Sequence, residues 1–138
     1  MAVVLDSSVV VAFLDRSDDL HPAADTALRT LLGTHKLLVS VITYTEVLTG
    51  ARLGHHDEEQ VGGFFADLIS GIVPVETAIG DRAAQLRAAA RSLGMPDALI
   101  AATAELDDEV ELLVSGDRDL AKIKGLGCPV RLIDQGSR

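Results

Sequence analysis

Five short apolar runs, each of strand length and each separated from the next by segments carrying helix signals, constrain this chain more than any other feature. They are Val3-Val4-Leu5, Lys36 to Val41, Ile72 to Val75, Glu111 to Val114 and Val130 to Ile133. Strands that alternate with helices pair in parallel, because a parallel pair needs a long crossover and a helix supplies it. The expectation is therefore an α/β chain: a three-layer α/β/α sandwich with a mainly parallel, roughly five-stranded sheet. At 138 residues, without internal repeat, low-complexity tract or linker, residues 1–138 read as one domain.

The helical segments show their ends. Pro22 suits the first turn of a helix that closes near Gly33. Thr43-Tyr44-Thr45-Glu46 fits a capping box that opens the next helix at Thr43, with Gly50 or Gly54 towards its end. Further helices are expected from Asp57 to Leu68, from Asp81 to Leu93 with Gly94 as the stop, and from Pro96 onward. Gly116 to Lys124 reads as a turn with a short helix. Val9 to Leu14 is open: its β-branched residues favour strand, whereas a serine directly after a strand favours a helix capped by Ser7 or Ser8.

Composition removes several classes of function. No apolar stretch approaches the roughly 20 residues a membrane helix needs, and the N-terminus lacks a basic head and a cleavage site. A single cysteine, Cys128, precludes an internal disulfide and fits a reducing compartment, so a soluble cytoplasmic protein is expected. The net charge of −9 argues against simple binding of nucleic acid, since phosphate contacts come from Lys and Arg. With only Phe13, Tyr44, Phe64 and Phe65 as aromatics, the chain is no stacking platform for single strands. That argument weakens if several acids share one pocket and a cation neutralises them.

The acids do fall in suggestive places. Asp6 ends the first strand, Glu46 lies at the start of the helix after the second, and Asp117 and Asp119 follow the fourth. Parallel topology brings those three positions to one edge of the sheet, where α/β proteins bind ligands. Asp97 opens a helix that follows another helix, and joins them only if that helix starts at the same edge. Each acid has a plainer role available: an Asx turn for Asp6, the back half of the capping box for Glu46, dipole complementation for Asp97 and an N-cap for Asp117. Four acids on one edge are harder to explain that way, because like charges repel unless a cation joins them. Carboxylate oxygens select hard cations such as Mg²⁺. No His or Cys set has zinc spacing; His21, His35, His55 and His56 read as surface residues.

These motifs, in this order, resemble the PIN-domain ribonucleases, and among them the VapC-type toxins of prokaryotic toxin–antitoxin pairs. The matching pieces are Val4-Leu5-Asp6-Ser7-Ser8, Thr43-Tyr44-Thr45-Glu46-Val47, Pro96-Asp97-Ala98-Leu99-Ile100-Ala101-Ala102-Thr103-Ala104 and Leu113-Val114-Ser115-Gly116-Asp117-Arg118-Asp119-Leu120. They span nearly the whole chain. The resemblance implies that Asp6, Glu46, Asp97 and Asp117 bind Mg²⁺ or Mn²⁺, with Asp6 and Asp97 the firmest ligands. It implies that Asp119 assists from outside the metal's own ligands and that Ser8 and Ser115 supply hydroxyls beside it. Ser115 stands where the family more often has Thr, and Leu120 where it often has Phe.

The activity so implied is hydrolysis of an RNA phosphodiester by metal-activated water. The implied partners are the RNA substrate, a second copy of the chain and a cognate VapB-type antitoxin that fills the groove. Arg16, Arg52, Arg118, Lys122 and Lys124 are candidates for holding RNA backbone, each equally readable as solvated surface. Phe64, Phe65 and Leu68 belong either to the core or to an interface. Two other readings stay open. One is an aspartyl-phosphate phosphotransferase or phosphatase, which commonly has a second Asp where this chain has Ser8. The other is a catalytically inactive PIN-like binding domain.

Overall fold

The structure, a computed structural model, describes residues 1–134. Its elements run β1 (Ala2–Leu5), α1 (Ser7–Leu14), α2 (His21–Leu32), β2 (Lys36–Ser40), α3 (Val41–Arg52), α4 (Glu58–Asp67) and β3 (Gly71–Val73). They continue α5 (Thr77–Ala89), α6 (Met95–Leu106), β4 (Val110–Ser115), α7 (Arg118–Ala121) and β5 (Val130–Leu132). The five strands form one sheet in the order β3-β2-β1-β4-β5, parallel at every pairing.

Alternation along the strands divides the core in two. Val3, Leu5, Leu37, Val39 and Val114 pack with α1 to α4 on one face. Val4 and Leu113 pack with α5, α6 and the Leu120 and Cys128 region on the other. Both faces being covered explains why the strands are apolar runs rather than alternating ones. The architecture is the expected three-layer sandwich.

The strand order carries a functional consequence. From β1 the chain builds outward through β2 and β3, then returns to place β4 on the other side of β1. The reversal opens a crevice at the carboxyl ends of β1 and β4, the usual ligand position in such sheets. Register aligns Leu5 with Val114, and the Asp6 N–H donates to the Val114 carbonyl at 2.9 Å, so Asp6 emerges beside Ser115.

Local starts and stops depart from the sequence expectations in four places. First, Val9 to Leu14 is helix, but neither Ser7 nor Ser8 caps it: Asp6 holds the N-cap position with extended backbone and makes no side-chain cap bond. Second, α3 opens at Val41 and not Thr43; Ser40 is the cap, accepting from Ile42 N at 3.0 Å, and the capping box does not form. The β-branched residues Val41 and Ile42 look like strand in isolation, and tertiary packing overrides that preference. Third, α5 starts at Thr77, anchored by buried Ile79, and ends at Ala89, where Arg87 Nε donates to the Leu93 carbonyl at 3.1 Å and turns the chain. Fourth, β3 stops at Val73 because Pro74 has no N–H to extend the ladder.

Of the aromatic pair on α4, Phe64 is buried in the core against Phe13, and Phe65 is half-buried with its ring edge against Tyr44. Leu68, just beyond, is also half-buried.

A polar clamp fixes how α5 and α6 pair. Arg82 on α5 donates to both oxygens of Glu105 on α6, at 2.6 and 2.9 Å, and to the Gly125 carbonyl at 2.9 Å. Glu105 also accepts from Gly127 N, and Arg82 holds its carboxyl below the usual range. Bidentate geometry of this kind specifies orientation. It locks α6 lengthwise, and with it the level at which Asp97 enters. Among the described residues, no helix is long and apolar enough to cross a membrane.

Candidate active site

The crevice at the β1 and β4 ends is built around Asp6. This carboxylate is 3% exposed, and a buried charge needs strong compensation. Ser8 and Ser115 both donate their hydroxyls to Asp6 Oδ2, at 2.7 and 2.8 Å. Each hydroxyl oxygen in turn accepts a backbone N–H, from Gly116 to Ser8 and from Asp117 to Ser115, both at 2.9 Å. The four bonds tie α1 to the turn after β4. They also commit Oδ2, while Oδ1 accepts no hydrogen bond among the described residues. Gly116 suits this corner because a Cβ there would meet Leu20 Cδ1 at 2.9 Å and Ser8 Oγ at 3.4 Å.

Asp117 combines two roles. Its Oδ1 accepts from Asp119 N at 2.8 Å, which caps α7, while its charge acts on Asp97. Asp119 is exposed and reaches Asp117 through its backbone rather than its carboxylate. Glu46 lies in the second turn of α3, not its first, since the helix begins earlier than the sequence suggested. Its competing explanation as a helix cap therefore falls away. Glu46 Oε1 instead accepts the hydroxyl of Ser7 at 2.5 Å.

Asp97 joins the other three, because α6 starts at this edge. Asp97 occupies its first turn, behind Pro96. Its carboxyl is pushed from 3.8 up to about 6: first by burial, then by the charges of Asp6, Asp117 and Glu46, and by a hydrogen bond with Asp117. All four acids thus feel one another, as carboxylates sharing a site must. Three helices, α1, α3 and α6, point their N-termini at the cluster, and their dipoles offset part of the repulsion.

The donor set suits a hard divalent cation: oxygen only, with Asp6 Oδ1 uncommitted. Among the described residues, however, no three Asp, Glu, His or Cys side chains form a ready-made metal cage. Repulsion holds such acids apart, and Mg²⁺ needs only one or two of them besides water and phosphate. None of the histidines enters the site: His21 Nδ1 contacts the Ala12 carbonyl, His35 pairs with Glu111, and His55 and His56 lie at the far end of α3.

The basic candidates separate. Arg118 opens α7 directly behind Asp117 and is exposed, as are Lys122 just past the helix and Lys124 beyond it. Arg16 is exposed in the turn after α1. Arg52 is not brought to the crevice. It lies six residues beyond Glu46, about 9 Å further along the helix axis, and pairs with Glu58. The sequence reading missed Ser7 and Thr43. Their signal was there, one residue after Asp6 and three before Glu46, but the capping pattern absorbed it.

Ser115→Ala tests whether the hydroxyl network is structural. The substitution leaves Asp117 N without its acceptor and Asp6 Oδ2 with one donor. The expected loss of stability is about 1–3 kcal/mol. Thermal unfolding should show it, and an unchanged midpoint would mean that water replaces the hydroxyl at no cost.

A family model described as PIN domain matches residues 3–126 of the chain. Among solved structures, VapBC2 from Rickettsia felis, bound to a DNA fragment from its promoter, aligns at a TM-score of 0.76 with 18% identity, covering 97% of this chain and 100% of that one. A toxin–antitoxin complex from Klebsiella pneumoniae aligns at 0.73 with 27% identity, covering 96% and 98%. VapC20 of Mycobacterium tuberculosis, a sarcin–ricin loop cleaving toxin, aligns at 0.70 with 15% identity, covering 93% and 99%. No curated protein matches the chain by sequence.

Proposed function

The chain belongs to the PIN domain family, and from that premise we propose that it is a divalent-metal-dependent endoribonuclease, the VapC-type toxin of a type II toxin–antitoxin pair. One observation carries the reading: Asp6, Glu46, Asp97 and Asp117, far apart in sequence, act on one another at the crevice of a parallel sheet. Those four residues would hold Mg²⁺ or Mn²⁺. Such a cation supplies positive charge for the phosphate and lowers the pKa of water.

The rest of the chemistry belongs to the chain. Ser8 and Ser115 keep Asp6 turned so that Oδ1 faces outward. Asp97, pushed to about 6, is ionised at neutral pH only at a cost that a cation relieves. Asp117 is held by the α7 cap, and its neighbours Arg118 and Lys122 are the cations best placed to meet an RNA backbone. Single-stranded bases would find little to stack on, so recognition would rest on backbone and shape. The aspartyl-phosphate alternative loses ground, because Ser8 stands where its second Asp belongs and serves Asp6 as a donor.

Solved relatives, one described as VapBC2 and one as a toxin–antitoxin complex, support a VapB-type partner for this chain. An arginine from that partner would suit the acid cluster, supplying charge where the metal otherwise does. A homodimer acting in the cytoplasm completes the proposal.

The test is cleavage of end-labelled RNA by purified protein in Mg²⁺ or Mn²⁺, with and without EDTA, followed by sequencing of RNA ends after induced expression. Discrete cuts abolished by chelation are expected. Cleavage indifferent to chelation, or no cleavage of any RNA in either metal, would remove the reading.

A further inference from the structure

Glu46 is the odd member of the site. It is exposed, on a long side chain with several rotatable bonds, and holding such a side chain in one pose costs roughly 1.5–2 kcal/mol of rotamer freedom. Yet it has a specific partner across two helices. Ser7, the first residue of α1, places its Oγ 2.5 Å from Glu46 Oε1, the length of a charge-assisted O–H···O⁻ bond. The same Oγ lies 3.2 Å from Thr43 Oγ1. Thr43 is fully buried, three residues before Glu46 on the same face of α3.

Proton counting orders this trio. Ser7 has one hydroxyl hydrogen, and the shorter contact to a carboxylate claims it. Ser7 Oγ is then left to accept from the Thr43 hydroxyl across the 3.2 Å contact. The chain runs Thr43 O–H to Ser7 O–H to Glu46, each member fixing the rotor of the next. No other side-chain hydrogen bond reaches Thr43 or Glu46 among the described residues.

We infer that Ser7 is a positioning residue, held by Thr43, which selects one pose of Glu46 and leaves its Oε2 for the cation. Since Ser7 adjoins Asp6 in the chain, α1 sets two site carboxylates at once. The inference rests on the proposed metal-dependent nuclease and extends it to a residue outside the acid set.

Ser7→Ala, Ser7→Thr and Thr43→Val are to be compared with the parent by Mn²⁺ titration calorimetry and single-turnover RNA cleavage, with circular dichroism to check folding. Ser7→Ala should weaken Mn²⁺ binding about 10-fold, the lower end for loss of an outer-shell partner, and slow cleavage similarly. Ser7→Thr, which keeps the hydroxyl, should restore both to within about threefold, and Thr43→Val should fall between. In a Glu46→Ala background, Ser7→Ala should cost less than about twofold, because coupled residues are non-additive. An undiminished Ser7→Ala effect there, or parental Mn²⁺ affinity and cleavage in Ser7→Ala itself, overturns the inference. Asp6→Asn in the same assays separates the two claims. If it abolishes binding while Ser7→Ala matches the parent, the nuclease reading stands and the Ser7 role falls. If neither changes anything, the metal reading falls.

Discussion

Asp6→Asn is expected to slow metal-dependent RNA cleavage about 1,000-fold while leaving the fold intact. Electrostatic help from a bound cation is worth several kcal/mol at a phosphoryl transition state, and each 1.4 kcal/mol is about tenfold in rate. Asparagine retains an oxygen that can accept from Ser8 and Ser115, so the hydroxyl network has an acceptor after the charge is gone. Cleavage kinetics with a contaminant-free preparation, alongside a melting curve, make the check. An Asp6→Asn protein that cuts as fast as the parent would mean the site is elsewhere.

Asp97→Asn should do two opposite things. Activity should fall comparably, but the metal-free protein should become more stable. The Asp97 carboxyl is raised from 3.8 to about 6, so the folded state favours its protonated form. Stability from that preference is complete below about pH 4 and is lost as pH rises through about 6. At pH 7 the ionised group therefore burdens the fold. Two pH units correspond to about 3 kcal/mol at most, and partial exposure discounts this to about 1 kcal/mol. For a chain of this size that is a rise of about 4 °C in melting temperature. Millimolar Mg²⁺ should then stabilise the parent and not the variant, because only a state that binds the ion gains from it. A variant that melts lower than the parent at pH 7 without metal, or that responds equally to Mg²⁺, would show that Asp97 does not share the charged cluster.

Much of this was legible before the structure. The five apolar runs announce a parallel sheet because strands buried on both faces carry no polar alternation, and their spacing demands crossovers. The turns after β1 and β4 then place Asp6 and Asp117 on one edge by topology. Helix starts are less legible. The sequence pattern Thr43 to Glu46 satisfies the rule for a capping box, and Ser40 before Val41 and Ile42 satisfies the rule for a simple N-cap. Local rules cannot choose between them, since neither shows that Thr43 is buried and faces Ser7 of α1.

Sequence alone thus determined the residue types, the sheet and the carboxylates that its connections carry to one edge. Those follow from hydrophobic periodicity and chain direction, which are local and additive. Tertiary structure alone decided that α6 starts at the crevice, through the Arg82–Glu105 clamp and the packing of α5 on α6. It also decided that Asp6 spends one oxygen on Ser8 and Ser115, and that Glu46 answers to Ser7 instead of capping its own helix. The Ser7–Glu46 and Asp6–Ser115 contacts join residues 39 and 109 positions apart. Their formation depends on register and packing, which no short stretch of sequence encodes.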